Sequence, residues 1–362
     1  MNGARERPLR ARVEYGGGVG TPLRIGVMGA GAVGCYIGGC LAADGNDVVF
    51  VGRERLRSEL AASGMTVSGL DGERPRVVAR EKLVFQTDIA ALGDRDLVLC
   101  CVKSAQSAEA AKQLASVLGP EAIVVSMQNG VRNADVLREG LHGRTVLGGI
   151  VSFNVVVKER GHFRQTTSGP LVIEASASAD PRVAGLRDLL VAAGLHVEIT
   201  ANIRPLQWSK LVLNLNNAVG ALTDQPIKQL IVGKGFRRSL AALMEEAIRV
   251  LRESGTPTAR LGPLPIRVFP FVLRLPAPLL RIVANAQVKI DAEARSSMWE
   301  DLSQRRKTEV DYLNGEIVRL AERSGTKAPM NARVVGLIHE VEERGEGSPK
   351  LSAHALWTAL TR

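Results

Sequence analysis

Residues Arg24 to Gly39 read RIGVMGAGAVGCYIGG, and this stretch restricts the chain to a small set of folds. Ile25, Val27 and Met28 end an apolar, β-prone run. Gly29, Gly31 and Gly34 follow at G-x-G-x-x-G spacing, and Ala32 to Leu41 has the small, apolar content of a tightly packed helix. Each glycine answers a separate need. The first permits a sharp turn, the second lets backbone N–H groups approach a ligand with no Cβ between, and the third lets helix and strand pack closely. A helix N-terminus presents free N–H groups and partial positive charge, so the ligand it suits is a pyrophosphate. With 37 glycines in 362 residues the spacing alone is weak. A strand before it and a helix after it make Gly29, Ala30, Gly31, Ala32, Val33 and Gly34 a dinucleotide loop.

The pattern that follows predicts an α/β fold with an N-terminal, Rossmann-type doubly wound domain. Asp47 to Gly52 reads as the second parallel strand, and Asp96 to Val102 and Ala122 to Met127 as further ones. In such sheets ligands bind beyond the carboxyl ends of the strands, which is where Lys103 and Asn129 stand. Arg53 follows the second strand, and its guanidinium suits a ribose 2′-phosphate and hence NADP. Glu54 would instead serve a 2′-hydroxyl if the strand ends one residue later. Residues 64–86 suggest a hairpin turning at Leu70 to Glu73. The β-prone runs Thr145 to Val157 and Gly169 to Glu174, separated by a turn-like KERGHF segment, predict a strand pair completing a domain over residues 24–203. Beyond Pro205 the periodicity is helical over Gln207 to Leu222, Gly235 to Ser254 and Ala292 to Arg323, predicting an all-helical domain over residues 204–362. Pro263 to Pro278 reads as a packed connector, because Pro270, Pro276 and Pro278 forbid the single helix that would align Arg267, Arg274 and Arg281.

The formal charge of +10 is spread along the chain with acidic residues interleaved, so no nucleic-acid partner is expected. Residues 1–23, rich in arginine and glycine, read as a flexible basic arm. No uncharged apolar run reaches 18 residues, so no membrane association is expected, and the arm lacks the apolar segment of a secretory signal, which assigns the chain to the cytoplasm. Cys35, Cys40, Cys100 and Cys101 show no metal spacing and suit reduced thiols, so neither a metal site nor a disulfide is expected.

The conspicuous polar feature is WSKLVLNLNNAVGALT, Trp208 to Thr223, where a helix suited to burial carries Lys210, Asn214 and Asn217 on one face. Burying an ammonium and amides is costly without partners, so such a face serves a ligand or a polar network. A cation there can protonate an oxygen that gains charge during hydride transfer, given a pKa set by burial and a nearby carboxylate. Ser297 and Glu309, 12 residues apart, would share a face if one helix spanned both. A hydroxyl and a carboxylate so placed can bind a polar substrate and orient a lysine.

Taken in order, the glycine loop, the V-K at Lys103, the Q-N-G at Asn129, K-L-V-L-N from Lys210 and S-S-M followed by T-E-V-D-Y-L-N-G resemble the ketopantoate reductase family from about Arg24 to Ala332. The resemblance implies a Rossmann domain, a helical domain, a cleft between them, and NADPH-dependent reduction of ketopantoate to pantoate. Position by position it implies Lys210 as general acid, Glu309 as its supporting carboxylate, Asn214 and Ser297 at the substrate, Lys103 and Asn129 at the nicotinamide end, and Arg53 at the 2′-phosphate. A further family asparagine falls at Gly220, with Asn217 as the candidate replacement. Two alternatives stand beside this reading, a reductase of another 2-keto acid and an NADP-binding regulatory protein without turnover. The partner in the enzyme readings is a small-molecule 2-keto acid, and a homodimer is compatible with each.

Overall fold

The structure is a computed structural model that describes residues 22–70, 74–175, 180–262, 264–276, 278–280, 291 and 294–361. The first part contains the strands β1 (Ile25–Met28), β2 (Val48–Val51), β3 (Met65–Ser68), β4 (Arg76–Val78), β5 (Val84–Gln86), β6 (Leu97–Cys100), β7 (Ile123–Ser126), β8 (Thr145–Val151), β9 (Val155–Glu159), β10 (His162–Gln165), β11 (Leu171–Glu174) and β12 (Val197–Thr200). Eight of them form the main sheet in the order β12-β11-β8-β7-β6-β1-β2-β5. β1 lies between β2 and β6 and is parallel to both, and β6, β7 and β8 continue in parallel. The chain adds β5 beside β2 and then crosses to the far side of β1 to make β6, which opens a crevice at the carboxyl ends of the strands. The loops bearing Gly29, Arg53, Lys103 and Asn129 all leave the sheet at that edge.

The helix Ala32–Ala43 owes its uninterrupted apolar sequence to burial on two sides. Toward the main sheet, a Cβ on Gly38 would lie 2.5 Å from the Phe50 ring. On its other side a second sheet, β4-β3-β10-β9, closes over it: a Cβ on Gly39 would lie 2.7 Å from Met65 and Val67, and the Tyr36 hydroxyl donates to Gln165 Oε1 at 2.8 Å. This sheet revises the expectation for residues 145–174. β8 does pair with β11, but Lys158 to Phe163 turns a hairpin between β9 and β10 rather than separating two strands of one sheet. β10 then pairs in parallel with β3, joining the expected β3–β4 hairpin to a segment almost a hundred residues away. The short β12 carried no clear signal in the sequence.

After Thr200 the described residues are helical, around a core that includes Leu211, Val212, Leu215, Leu243, Met244, Ile317, Val334 and Ile338. The polar-faced segment forms two consecutive helices, Arg204–Asn214 and Asn216–Thr223, followed by Lys234–Glu253. The expected helix over residues 292–323 is instead two, Ser297–Ser303 and Asn314–Arg323, with a 3-10 turn, Val310–Tyr312, between them. Arg305 adopts a left-handed conformation (φ 53°), and the Arg306 N–H folds back onto the Asp301 carbonyl at 2.8 Å. Ser297 and Glu309 therefore do not share one helix.

The proline-rich connector makes a 3-10 turn, Ile266–Val268, and a short helix, Phe269–Leu273. Ile266 and Leu273 are buried, and Arg237 donates to the Leu275 carbonyl at 2.9 Å. Arg274 pairs with Glu245 of the long helix, whereas Arg281 lies outside the described residues. The basic arm also lies outside them, apart from its last two residues. Among the described residues no helix is long and apolar enough to cross a membrane.

Candidate active site

The three glycines of the loop meet three different surroundings. Gly29 has φ +88°, and a Cβ there would lie 2.5 Å from the Val102 nitrogen, so both conformation and space select glycine. A Cβ on Gly34 would lie 2.6 Å from the Gly29 carbonyl oxygen and 3.0 Å from Val27, which sets how closely the Ala32–Ala43 helix approaches β1. A Cβ on Gly31 would meet nothing within 4 Å. That position needs no glycine for packing against the described residues, so the space in front of it is available to a ligand. The Gly29 and Ala30 N–H groups both donate to the Val51 carbonyl at 3.1 Å, and no side chain caps the helix that starts after Gly31. An open cradle before an uncapped helix N-terminus fits a dinucleotide pyrophosphate.

Beyond β2, Arg53 is exposed at the start of the helix Glu54–Ser63, and its guanidinium has no hydrogen bond or ion pair among the described residues. The Glu54 carboxylate is taken up inside that helix, accepting from Arg57 at 2.8 and 2.9 Å and from Ser58 at 2.9 Å. These donors, the Arg57 guanidinium above all, hold it below the usual carboxylate range.

The loops after β6 and β7 meet the helical region along a polar seam. Lys103 Nζ is ion-paired with Asp301, which also accepts from Arg306 Nε at 3.2 Å. Burial raises the Asp301 carboxyl, and the two cations oppose that shift. Next to it, the Ser104 N–H and hydroxyl donate to Glu309 Oε1 at 2.9 and 2.7 Å. Asn214 Nδ2 donates to Asn129 Oδ1 at 3.3 Å, joining the carboxyl end of β7 to the helix that carries Lys210. Arg204, on the same helix, reaches the Val131 carbonyl and pairs with Asp135 at 2.6 Å.

Lys210 lies one turn before Asn214 and is only partly exposed. Burial pushes its ammonium down to about 8, and no carboxylate pairs with it among the described residues. The expected carboxylate, Glu309, binds Ser104 instead, so the structure joins Glu309 to the cofactor-side loop and not to the lysine. Asn217 is buried and its carbonyl accepts from the Ser296 hydroxyl at 2.9 Å, while its side-chain amide has no hydrogen bond among the described residues. Ser296 also caps the helix Ser297–Ser303 through the Trp299 N–H, and the exposed Ser297 hydroxyl has no hydrogen bond among the described residues. A Cβ on Gly220 would lie 3.4 Å from Ser296 Oγ and Leu230, so that position faces helix packing.

Sequence reasoning missed Asp301, Ser104 and Asn133. The signals were present in outline: Ser104 directly follows Lys103, and Asn133 lies four residues after Asn129, at the first position of the helix Asn133–Gly140.

The family model described as ketopantoate reductase PanE/ApbA matches residues 25–178, and the model of its C-terminal part matches residues 202–342. A 2-dehydropantoate 2-reductase of Archaeoglobus fulgidus is 31% identical over 323 residues, covering 88% of this chain and 98% of that protein. The crystal structure of a PanE/ApbA family ketopantoate reductase from Ralstonia eutropha JMP134 superposes with a TM-score of 0.73 at 32% identity, covering 90% of this chain and all of the other. A D-mandelate dehydrogenase solved with NADH and anilino(oxo)acetate shares the fold, with a TM-score of 0.70 at 19% identity over 89% of this chain and 99% of that one. The glycine cradle, the strand-end residues and the helical region they touch thus belong to one known architecture, and the chain is a member of the ketopantoate reductase family of oxidoreductases.

Proposed function

We propose that this protein reduces ketopantoate to pantoate with NADPH, with Lys210 as the general acid. The observation that carries this reading is Lys210 itself, an ammonium desolvated to a pKa of about 8, with no carboxylate partner among the described residues, one turn from the residue that meets the end of β7. A structural lysine would be exposed or paired. An ammonium left unpaired in a low-dielectric site is stabilised by the negative charge that develops on a ketone oxygen during reduction. Its lowered pKa keeps it mostly protonated at pH 7 while making it a stronger acid than a solvated lysine.

The residues present fit the nucleotide. The space before Gly31 and the uncapped N–H groups of the following helix would hold the pyrophosphate. Arg53, exposed and unengaged, would hold a 2′-phosphate, while Glu54 is occupied by Arg57 and Ser58; this supports NADPH over NADH. When bound, the reduced nicotinamide supplies the hydride that reaches the carbonyl carbon of the keto acid. Lys210 donates the proton to the carbonyl oxygen, so one C–H and one O–H bond form as the C=O double bond becomes single. Asn214, tethered to Asn129, orients the substrate beside the lysine, and Ser297 and the free Asn217 amide are further contacts for it. Glu309 supports the site from the seam. Residues 24–203 act as the cofactor domain and 204–362 as the substrate domain.

The test is NADPH oxidation followed in the near ultraviolet, with ketopantoate and a panel of other 2-keto acids as substrates and NADH in parallel. Turnover fastest with ketopantoate and NADPH supports the full reading. A preference for another keto acid would replace the substrate and keep the chemistry. NADPH binding with no turnover on any keto acid would remove the reductase reading.

A further inference from the structure

We infer that Ser104 is a positioning residue of the reductase site, aiming the Glu309 carboxylate and coupling it to Asn129 through Asn133; this rests on the reductase reading above. Glu309 is almost fully buried, and both of its hydrogen bonds end on one oxygen. Oε1 accepts from the Ser104 N–H at 2.9 Å and from the Ser104 hydroxyl at 2.7 Å. Oε2 makes no hydrogen bond among the described residues and is not among the fully enclosed unsatisfied atoms. The carboxylate is thus held by one oxygen and leaves the other to a ligand.

The direction of the Ser104 hydroxyl is set from behind. It has one proton, and a carboxylate oxygen at 2.7 Å is a stronger acceptor than the Asn129 carbonyl at 3.3 Å. Its lone pair accepts from Asn133 Nδ2 at 3.1 Å. Asn133 cannot turn its amide over without loss, because its Oδ1 accepts from the Ser107 hydroxyl at 2.9 Å. Ser107 in turn accepts from Gln128 Nε2 at 2.8 Å, and Gln128 Oε1 accepts from the Ser126 hydroxyl at 2.9 Å. The same Asn133 amide also donates to the Asn129 carbonyl, and the Asn129 side chain meets Asn214 on the lysine helix. One buried relay, running from the end of β7, therefore fixes both Glu309 and Asn129. It crosses to the helical region at two points, at Ser104 to Glu309 and at Asn129 to Asn214, and Ser104 is the one that holds the carboxylate.

The experiment compares wild type, Ser104→Ala, Ser104→Thr, Glu309→Gln and the double variant Ser104→Ala/Glu309→Gln. For each, NADPH affinity is measured by fluorescence titration, and kcat and KM for the keto acid by NADPH oxidation. Loss of a hydrogen bond to a charged group should lower kcat/KM of Ser104→Ala by about tenfold or more, with NADPH affinity unchanged and Ser104→Thr restoring most of the activity. Because Ser104 acts through Glu309, the alanine change should cost little further in the Glu309→Gln background.

The inference is overturned if Ser104→Ala matches wild type, if it costs as much in the Glu309→Gln background as alone, or if NADPH affinity falls in parallel with activity. Should Ser104→Ala fail to fold, Ser104→Cys, of nearly the same shape and a weak donor, takes its place with the same expected results. A wild-type protein that oxidises NADPH with no keto acid would remove the reductase reading and this inference together. That outcome is visible before any variant is made.

Discussion

Replacing Lys210 with methionine is expected to move activity and stability in opposite directions. Methionine keeps the apolar stem and removes the charge. The native ammonium titrates at about 8, against about 10.4 for an unperturbed lysine, a gap of about 2.4 units or about 3 kcal/mol of destabilisation when the group is charged. Partial exposure of the side chain screens some of this, so about 1–3 kcal/mol is the realistic range. Below pH 8 both native and unfolded chains hold the proton and the cost is fully present. Between pH 8 and about 10.4 the unfolded state binds more protons than the native state, so wild-type stability rises with pH. The Lys210→Met protein should accordingly be more stable than wild type at pH 7, and the gap should close by about pH 10.5. Urea unfolding at pH 7, 9 and 10.5 measures this. Activity goes the other way: loss of the general acid should cost about 10²–10⁴-fold in kcat, and wild-type kcat/KM should fall about tenfold per unit above pH 8. A variant that is less stable at pH 7, a gap independent of pH, or turnover near that of wild type would each refute the argument.

The cradle is tested by two glycines that differ only in surroundings. Gly31→Val should fold normally and lose NADPH affinity, because its side chain enters space that only a ligand would fill. Gly34→Ala should lose about 1–3 kcal/mol of stability on urea unfolding, because its methyl group meets the Gly29 carbonyl. Equal stability losses in the two would refute the assignment. Arg53→Ala should reduce the preference for NADPH over NADH by about 10–100-fold in kcat/KM, as expected for a lost charge-assisted contact. An unchanged ratio would place 2′-phosphate recognition elsewhere. Asp301→Ala should cost about 1–3 kcal/mol on urea unfolding, because Lys103 and Arg306 lose a buried acceptor while their own partial exposure softens the loss. A change below about 0.5 kcal/mol would mean that water replaces the carboxylate.

What was legible from the sequence is what a short stretch of backbone dictates. The strand, the three glycines and the following helix interact within about twenty residues, so the spacing together with its strand-and-helix context makes the loop legible. The parallel strands β1, β2, β6 and β7 were readable for the same reason: each is a short apolar run, and Arg53, Lys103 and Asn129 follow β2, β6 and β7 at one edge of the sheet. Periodicity likewise identified a helical second part, and the i, i+4 spacing of Lys210 and Asn214 identified its polar face.

Tertiary structure decided which distant groups meet. Glu309 binds Ser104 across 205 residues and Lys103 meets Asp301 across 198, separations over which neither periodicity nor local propensity carries information. The pairing of β10 with β3 was hidden in the same way, and the sheet it builds, together with the main sheet, explains why the Ala32–Ala43 helix is apolar all round. The break between Ser303 and Asn314 was obscured because two helices packed on one core show the same apolar spacing as a single long one. The sequence by itself therefore determined the α/β fold of the first part of the chain and the helical character of the second. Only the packing of two distant parts of the chain decided that Lys210 has no carboxylate partner among the described residues, since burial and pairing are properties of the assembled seam and not of any segment within it.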